Sequence, residues 1–133
     1  MMCGDSTDPD AVDILMDGMK ANLVITDPPY NVAYESADGK TIQNDSMADE
    51  KFYAFLLSAF RNMAAHMAEG GSAYIFHADT EGLNFRRAFK ESGFHISADL
   101  TLPMRIKRTE TPYWQVLCSR RASFHHSTTL GDT

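Results

Sequence analysis

The fold follows from one stretch of the sequence, Ala21-Asn22-Leu23-Val24-Ile25-Thr26-Asp27-Pro28-Pro29-Tyr30. Its three consecutive branched residues, from Leu23 to Ile25, are typical of a strand that is buried on both faces of a parallel sheet, so we expect this strand mid-sheet. The two prolines cannot donate hydrogen bonds to a sheet, and the strand therefore ends at Asp27. The carboxylate is thereby predicted at the carboxyl edge of the sheet, where open α/β proteins bind ligands.

An acid, a rigid turn and an aromatic ring suit the transfer of a methyl group to the exocyclic amine of a nucleobase. Such an amine is a poor nucleophile because its lone pair is delocalised into the ring. Two acceptors, the Asp27 carboxylate and the Pro28 carbonyl, would bind its two N–H groups and leave the lone pair directed at the methyl donor. Pro29 keeps the turn stiff, and Tyr30 stacks on a base that has left the duplex. The alternative is a strand followed by a Pro-Pro loop with a surface acid.

The tetrapeptide Asp27-Pro28-Pro29-Tyr30 resembles the catalytic tetrapeptide of the DNA amino-methyltransferases, which methylate adenine N6 or cytosine N4 with S-adenosylmethionine. The resemblance implies that these four residues are catalytic, that the cofactor is S-adenosylmethionine and, from the acidic first position, that adenine is the target. It also assigns Asp5 and Asp27 to cofactor binding, because Gly4-Asp5 resembles the end of the strand before the catalytic one. The alternative role of Asp5 is in capping a helix.

The sequence lacks the glycine-rich turn after a strand that lets a backbone approach such a cofactor. Its only adjacent glycines, Gly70-Gly71, are predicted to end a helix. Residues 3–100 resemble the first part of the permuted motif order called the beta group, in which the tetrapeptide precedes the glycine motif. The resemblance therefore implies a truncated enzyme. Two alternatives stay open: a non-catalytic remnant or partner-dependent interaction module, and an RNA or protein amide methyltransferase.

Helical and strand patterns alternate along the chain, which predicts a parallel three-layer α/β sheet with right-handed crossovers. The predicted elements are a helix that starts at Pro9, the strand that ends at Asp27, helices over 49–67 and 81–92, and strands over 72–78 and 94–100. The expected fold class is thus α/β, a partial Rossmann-like S-adenosylmethionine-dependent methyltransferase fold that lacks the glycine-rich cofactor half. Residues 1–100 are expected to form the catalytic half, and residues 101–133 a divergent basic tail, partly disordered, in which 113–118 could add one more strand.

Charge and loop composition bear on DNA binding. The loop after Tyr30 is polar, and loops next to a site are often functional. Tyr30, Tyr34 and Lys40 are the candidate DNA-binding residues, although Tyr34 and Lys40 could equally be ordinary surface residues. Residues 1–100 carry 7 basic and 16 acidic side chains, and residues 101–133 carry 5 and 2. The net charge of −6 has the wrong sign for a free-standing DNA binder, so the phosphate-binding surface is expected in the tail or outside this chain.

The expected partners are double-stranded DNA and either the missing carboxyl-terminal half or a second copy of the chain. Cys3 and Cys118 lie far apart and show no metal-ligand spacing, so no metal is expected. The sequence shows neither a signal peptide nor an apolar run long enough to span a bilayer. This favours a cytoplasmic protein without a membrane partner.

Overall fold

A computed structural model describes residues 1–33, 39–40, 45–103 and 113–121. In chain order the elements are α1 (Pro9–Met16), β1 (Ala21–Thr26), α2 (Asp49–Ala65), β2 (Met67–Ala78), a short 3₁₀ helix (Asp79–Glu81), α3 (Gly82–Glu91), β3 (Phe94–Pro103) and β4 (Tyr113–Arg121). The predicted alternation of helices and strands is confirmed, as is the extra strand near residue 113. Within the described part of the chain, no helix has the length and apolar character needed to cross a membrane.

The four strands lie in the order β1-β2-β4-β3. β1 and β2 are parallel, and β4 is antiparallel to both of its neighbours, so β1, β2 and β3 all run in one direction. The sheet is therefore mixed, which corrects the expectation of a wholly parallel sheet. The reason is the length of the connection: only residues 104–112 separate β3 from β4, whereas a parallel crossover needs about a dozen residues or more.

The sheet continues beyond residue 100. β3 extends to Pro103, and β4 lies between β2 and β3 and pairs with both. Part of the segment that the sequence assigns to a basic tail thus belongs to the sheet. Residues 104–112 and 122–133 lie outside the described residues, and the division of the chain into 1–100 and 101–133 stays a prediction.

Aromatic packing joins α2 and α3 to one face of the sheet. Phe85 contacts Phe52 and Phe60, with ring centroids 5.8 and 6.2 Å apart. Phe89 packs edge-on against Phe60 at 5.6 Å. The sheet side of this core consists of fully buried side chains, which are Met67, Ala73, Ile75 and Leu117. Because burial of each large apolar side chain contributes about 1.5–3 kcal/mol, this one-sided core provides most of the favourable packing.

The opposite face of the sheet is open. Leu23 is 52% exposed and Ile25 is 64% exposed, and Tyr74, which pairs with Ile25, is exposed as well. β1 also forms one edge of the sheet. The described residues therefore form two layers instead of the predicted three, and β1 does not lie mid-sheet. Branched residues specify a strand, but burial of its second face needs a further layer of chain, which the described residues do not supply.

Polar contacts hold much of α1, among them the one of 2.6 Å between Asp13 Oδ1 and His66 Nε2 at the end of α2. α1 buries no residue, and its apolar Ile14 and Leu15 are exposed. A polar contact links the segment before α1 to α2, since the Asn62 side-chain amide donates to the Ser6 carbonyl at 2.9 Å. The apolar side of α1 is thus only partly packed, since Val12 and Met16 are half-buried whereas Ile14 and Leu15 are exposed.

The glycine pair Gly70-Gly71 does not end α2, as the sequence predicts. The helix ends before the pair, and β2 runs through both residues. Gly70 has a φ of +70°, and a Cβ on Gly71 would lie 3.0 Å from the carbonyl oxygen of Ala68. The pair therefore forms the irregular start of β2, where the register against β1 shifts. Glycines serve helix ends and strand bulges alike, so the sequence alone did not distinguish the two.

The one-sided core predicts unequal effects of the same substitution. Leu56→Ala, at a fully buried residue of α2, should lower the free energy of unfolding by about 2–5 kcal/mol because it leaves a cavity. Leu23→Ala, on the open face, should cost less than about 1 kcal/mol. Urea unfolding followed by circular dichroism measures both, and equal losses would show that Leu23 is buried in solution.

Candidate active site

The tetrapeptide lies directly after β1. Asp27 follows the last residue of that strand and is exposed, and the structure describes no cis peptide bond in the turn. Because β1 and β2 are parallel, Asp27 lies at the sheet edge where β2 also ends. The structure thus places the carboxylate at the carboxyl edge, followed by the half-buried Pro28 and Pro29.

Tyr30 turns back onto Asp27. Its hydroxyl donates a hydrogen bond to Asp27 Oδ1, and its ring packs against the edge of the core. Burial, followed by the hydrogen bond to the Asp27 carboxylate, raises the pKa of Tyr30 well above its usual range. The phenol therefore stays a neutral donor at physiological pH. None of the ion pairs among the described residues involves Asp27.

A buried acid far along the sequence supports the residues after the turn. The Asp45 Oδ1 atom accepts hydrogen bonds from the Tyr30 amide at 3.0 Å and from the Val32 amide at 3.3 Å. The Asp45 carbonyl accepts from the Ala33 amide at 2.6 Å. Asp45 thus contacts the backbone that leaves the tetrapeptide at three points.

A second set of hydrogen bonds to this segment involves Asn31. Its side-chain oxygen accepts from the Met47 amide at 2.6 Å, and its side-chain nitrogen donates to the Met47 carbonyl at 3.1 Å. Asn31 has a φ of +58°, in the left-handed region that asparagine tolerates better than most residues. Sequence reasoning missed both Asn31 and Asp45 as site residues. For Asn31 the sequence offered one signal, the tolerance of asparagine for the left-handed conformation. The hydrogen bonds to Met47 could not be predicted, because local residue spacing does not indicate a contact with a distant segment.

Asp5 lies in a separate turn before α1. Its Oδ1 atom accepts from the amide and the hydroxyl of Thr7, both at 2.8 Å. The backbone and side-chain hydrogen bonds from Thr7 lower the pKa of Asp5. Asp8, and not Asp5, caps α1 by accepting from the Asp10 amide at 3.0 Å.

The space beside Asp5 is small. A cavity of about 140 Å³ is lined by Gly4, Asp5, Val12 and Leu15, among others. Small-molecule sites commonly occupy roughly 300 Å³ or more. The described residues therefore do not form a complete S-adenosylmethionine site at this position, and the roles of Asp5 and Asp27 toward the cofactor stay predictions.

The predicted DNA contacts are only partly visible. Lys40 is described and exposed, whereas Tyr34 lies outside the described residues. Tyr30 is engaged with Asp27, so its ring is not free to stack on a base in this state. Across the described ranges, no cluster of three or more His, Cys, Asp or Glu side chains has the arrangement of a metal site.

A buried histidine near the same edge has a packing role. His77 stacks on Phe85 with ring centroids 5.0 Å apart, and its Nδ1 atom lies 3.0 Å from the Ala78 carbonyl oxygen. Burial lowers the pKa of His77. The ring is thus part of the core under α3.

Comparison with known proteins identifies the fold. No protein-family model matches the chain, and no curated protein matches it in sequence. Among solved structures, TTHA0409, a candidate DNA modification methylase from Thermus thermophilus, matches with a TM-score of 0.61 and 17% identity over 96% of this chain. M1.HpyAVI, solved with SAM, matches with a TM-score of 0.57 and 18% identity over 91% of this chain. TrmN, also from Thermus thermophilus, matches with a TM-score of 0.58 and 12% identity over 90% of this chain.

The chain has part of a methyltransferase fold. It spans 54% of TTHA0409, 52% of M1.HpyAVI and 27% of TrmN. The partial methyltransferase fold predicted from the sequence is thereby confirmed. Since these identities lie far below the level at which activity transfers, the likeness establishes the architecture of this methyltransferase-fold chain, and its chemistry has to be argued from the site itself.

The hydrogen bond between Tyr30 and Asp27 predicts how the free energy of unfolding depends on pH in the alkaline range. Because the pKa of Tyr30 is raised on folding, its contribution to stability is fully present below the unfolded pKa of about 10 and is lost as the pH rises toward the folded pKa. Tyr30→Phe should therefore weaken the fall in unfolding free energy above about pH 10. Urea titrations at several alkaline pH values measure this effect.

The matched control is Tyr74→Phe, on the open face of the sheet. This variant should retain the alkaline fall in stability of the unmodified chain. If Tyr30→Phe and Tyr74→Phe gave the same alkaline profile, the bond between Tyr30 and Asp27 would not be present in solution.

Proposed function

We propose that the chain is the catalytic half of a DNA methyltransferase that transfers a methyl group from S-adenosylmethionine to the N6 amine of adenine. The observation that carries the proposal is the position of Asp27, exposed at the carboxyl edge of the sheet and followed by two prolines and the Tyr30 ring. The adenine target rests on the resemblance of the tetrapeptide, whose first position is acidic.

The chemistry of this chain is positioning of the amine. The Asp27 carboxylate and the Pro28 carbonyl accept its two N–H groups, which draws the nitrogen toward a tetrahedral shape and localises its lone pair. Tyr30 stacks on the extruded base once its ring has left the core edge. S-adenosylmethionine, when bound, would supply an electrophilic methyl group from its sulfonium sulfur, and the S–CH3 bond would break with its electron pair left on the neutral thioether S-adenosylhomocysteine. The nitrogen loses one proton as it gains the methyl group, and the adjacent Asp27 is placed to accept it.

The remainder of the fold is proposed as a necessary partner. Leu23 and Ile25 are exposed, and β1 lies at the edge of the sheet although its sequence is typical of a central strand. TTHA0409 and M1.HpyAVI each have nearly as many residues outside the matched part as inside it. A further segment that pairs with β1 and covers this face would complete the sheet and would provide the cofactor-binding glycine turn that this sequence lacks.

Double-stranded DNA is the proposed substrate, with Tyr30, Tyr34 and Lys40 as contacts from this chain. The chain carries a net charge of −6, so most of the phosphate-binding surface has to come from outside residues 1–100. A DNA substrate also favours a cytoplasmic location.

The same open face favours a second candidate, a non-catalytic remnant or interaction module that needs a partner. The two candidates differ in cofactor binding. Calorimetric titration with S-adenosylmethionine separates them when it is done both on the purified chain and on the chain supplied with the segment that completes the sheet. Measurable heat of binding in either preparation supports the enzyme, and its absence from both supports the remnant.

Asp27→Ala tests the catalytic proposal. With radiolabelled S-adenosylmethionine and DNA from a methylation-deficient host, the variant should lose at least about a hundredfold in methyl transfer, because one of two acceptors for the amine is gone. Glu69→Ala, which removes an exposed acid at the start of β2, should retain activity. Mass spectrometry of the digested DNA should identify N6-methyladenine, and N4-methylcytosine instead would correct the target base. Unreduced transfer by Asp27→Ala would exclude the role given to Asp27.

A further inference from the structure

Asp45 is the one acidic residue that the described structure buries beside the tetrapeptide. It is only 2% exposed and lies shortly before α2. An acid at such a position is stable only when hydrogen bonds replace the water that it loses. Here the Tyr30 and Val32 amides provide those bonds, at 3.0 and 3.3 Å. We infer that Asp45 is a positioning residue that holds the tetrapeptide in its productive shape, an inference that rests on the proposed function.

The covalent structure of the turn explains why an acceptor is needed at this point. Pro28 and Pro29 have no N–H group, so the first amide after Asp27 that an acceptor can bind is that of Tyr30. Each proline ring fixes its own φ angle. The bond from Asp45 fixes the orientation of the peptide plane between Pro29 and Tyr30. Only the ψ angles of the two prolines then remain to direct the Pro28 carbonyl, the second acceptor for the amine.

The backbone beyond Tyr30 adopts a strained conformation that further contacts with the 45–47 segment stabilise. Asn31 and Ala33 have φ values of +58° and +51°, which cost energy for residues other than glycine. The Ala33 amide donates to the Asp45 carbonyl at 2.6 Å, and the Asn31 side chain bonds both backbone groups of Met47. These contacts offset the strain and attach the turn to the segment that leads into α2.

Asp45→Ala and Asp45→Asn test the inference in the full chain, with Glu50→Ala, an exposed acid in the first turn of α2, as the matched control. Amide hydrogen exchange measured by NMR is the first readout. Asp45→Ala should speed exchange of the Tyr30 and Val32 amides about tenfold or more, because a charge-assisted acceptor is lost. Asp45→Asn retains a weaker, neutral acceptor oxygen, so exchange of the two amides should speed up only severalfold, less than in Asp45→Ala. The buried Ile75 amide in β2 reports whether the fold as a whole has changed.

Methyl transfer is the second readout, in whatever preparation of the unmodified chain is active. Asp45→Ala should lower kcat about tenfold or more with the KM for S-adenosylmethionine unchanged, and Asp45→Asn should recover most of the loss. Unchanged protection of both amides in Asp45→Ala, or an unchanged kcat, would overturn the inference. If Asp45→Ala does not fold, Asp45→Asn is the deciding variant. Because a neutral acceptor is weaker, the inference predicts that protection falls severalfold at the Tyr30 and Val32 amides alone. Full retention of protection at these amides would overturn the inference.

The two readouts separate the failure of this inference from the failure of the proposed function. If the unmodified chain transfers no methyl group in any preparation while Asp45→Ala still loses amide protection, the proposed function fails and Asp45 remains a support of the turn. If methyl transfer is present and insensitive to Asp45→Ala, the positioning role fails and the proposed function stands.

Discussion

The structure depends on the packing of aromatic rings between two helices and one face of the sheet. Phe52 and Phe60 of α2 contact Phe85 of α3, and Ile75 of β2 is buried among the same residues. This cluster fixes α2 against the sheet. Since Asp45 lies just before α2 and holds the Tyr30 amide, the cluster also determines where the tetrapeptide lies. A single apolar core thus supports the candidate site through one helix.

Burial on only one face distinguishes this chain from a complete three-layer protein. The open face carries Leu23 and Ile25, and the edge of β1 offers unpaired backbone groups among the described residues. Proteins normally protect such edges and avoid large apolar surfaces. The chain also spans only about half of TTHA0409 and of M1.HpyAVI.

Much of the fold could be predicted from local patterns. The apolar run before Asp27 identified β1, and the spacing of Phe52, Leu56 and Phe60 identified α2. The antiparallel insertion of β4 could not be predicted, because strand direction depends on the connection and on pairing partners that are distant in sequence. The edge position of β1 was missed for a related reason. Its apolar residues show that the strand can be buried on both faces, but they do not show whether the chain provides a second layer to cover it.

The candidate site was predictable to the same extent. Residues 27–30 are adjacent, and their chemistry is readable from their order alone. Asp45 contributes through a contact that spans 15 residues, and no periodicity connects an acid before a helix to an amide after two prolines. The structure also shows Tyr30 bound to Asp27, whereas the sequence predicted a ring that is ready to stack.

Under the proposed function, that contact turns base recognition into a competition. The Tyr30 phenol occupies Asp27 Oδ1 before any base arrives, so an incoming amino group has to displace one donor with another. The exchange leaves the number of hydrogen bonds at that oxygen unchanged. A base without an exocyclic amino group, such as thymine, has no pair of N–H groups that could bind Asp27 and the Pro28 carbonyl together, so it would leave the phenol in place. The resting turn would therefore discriminate among bases before the chemical step begins.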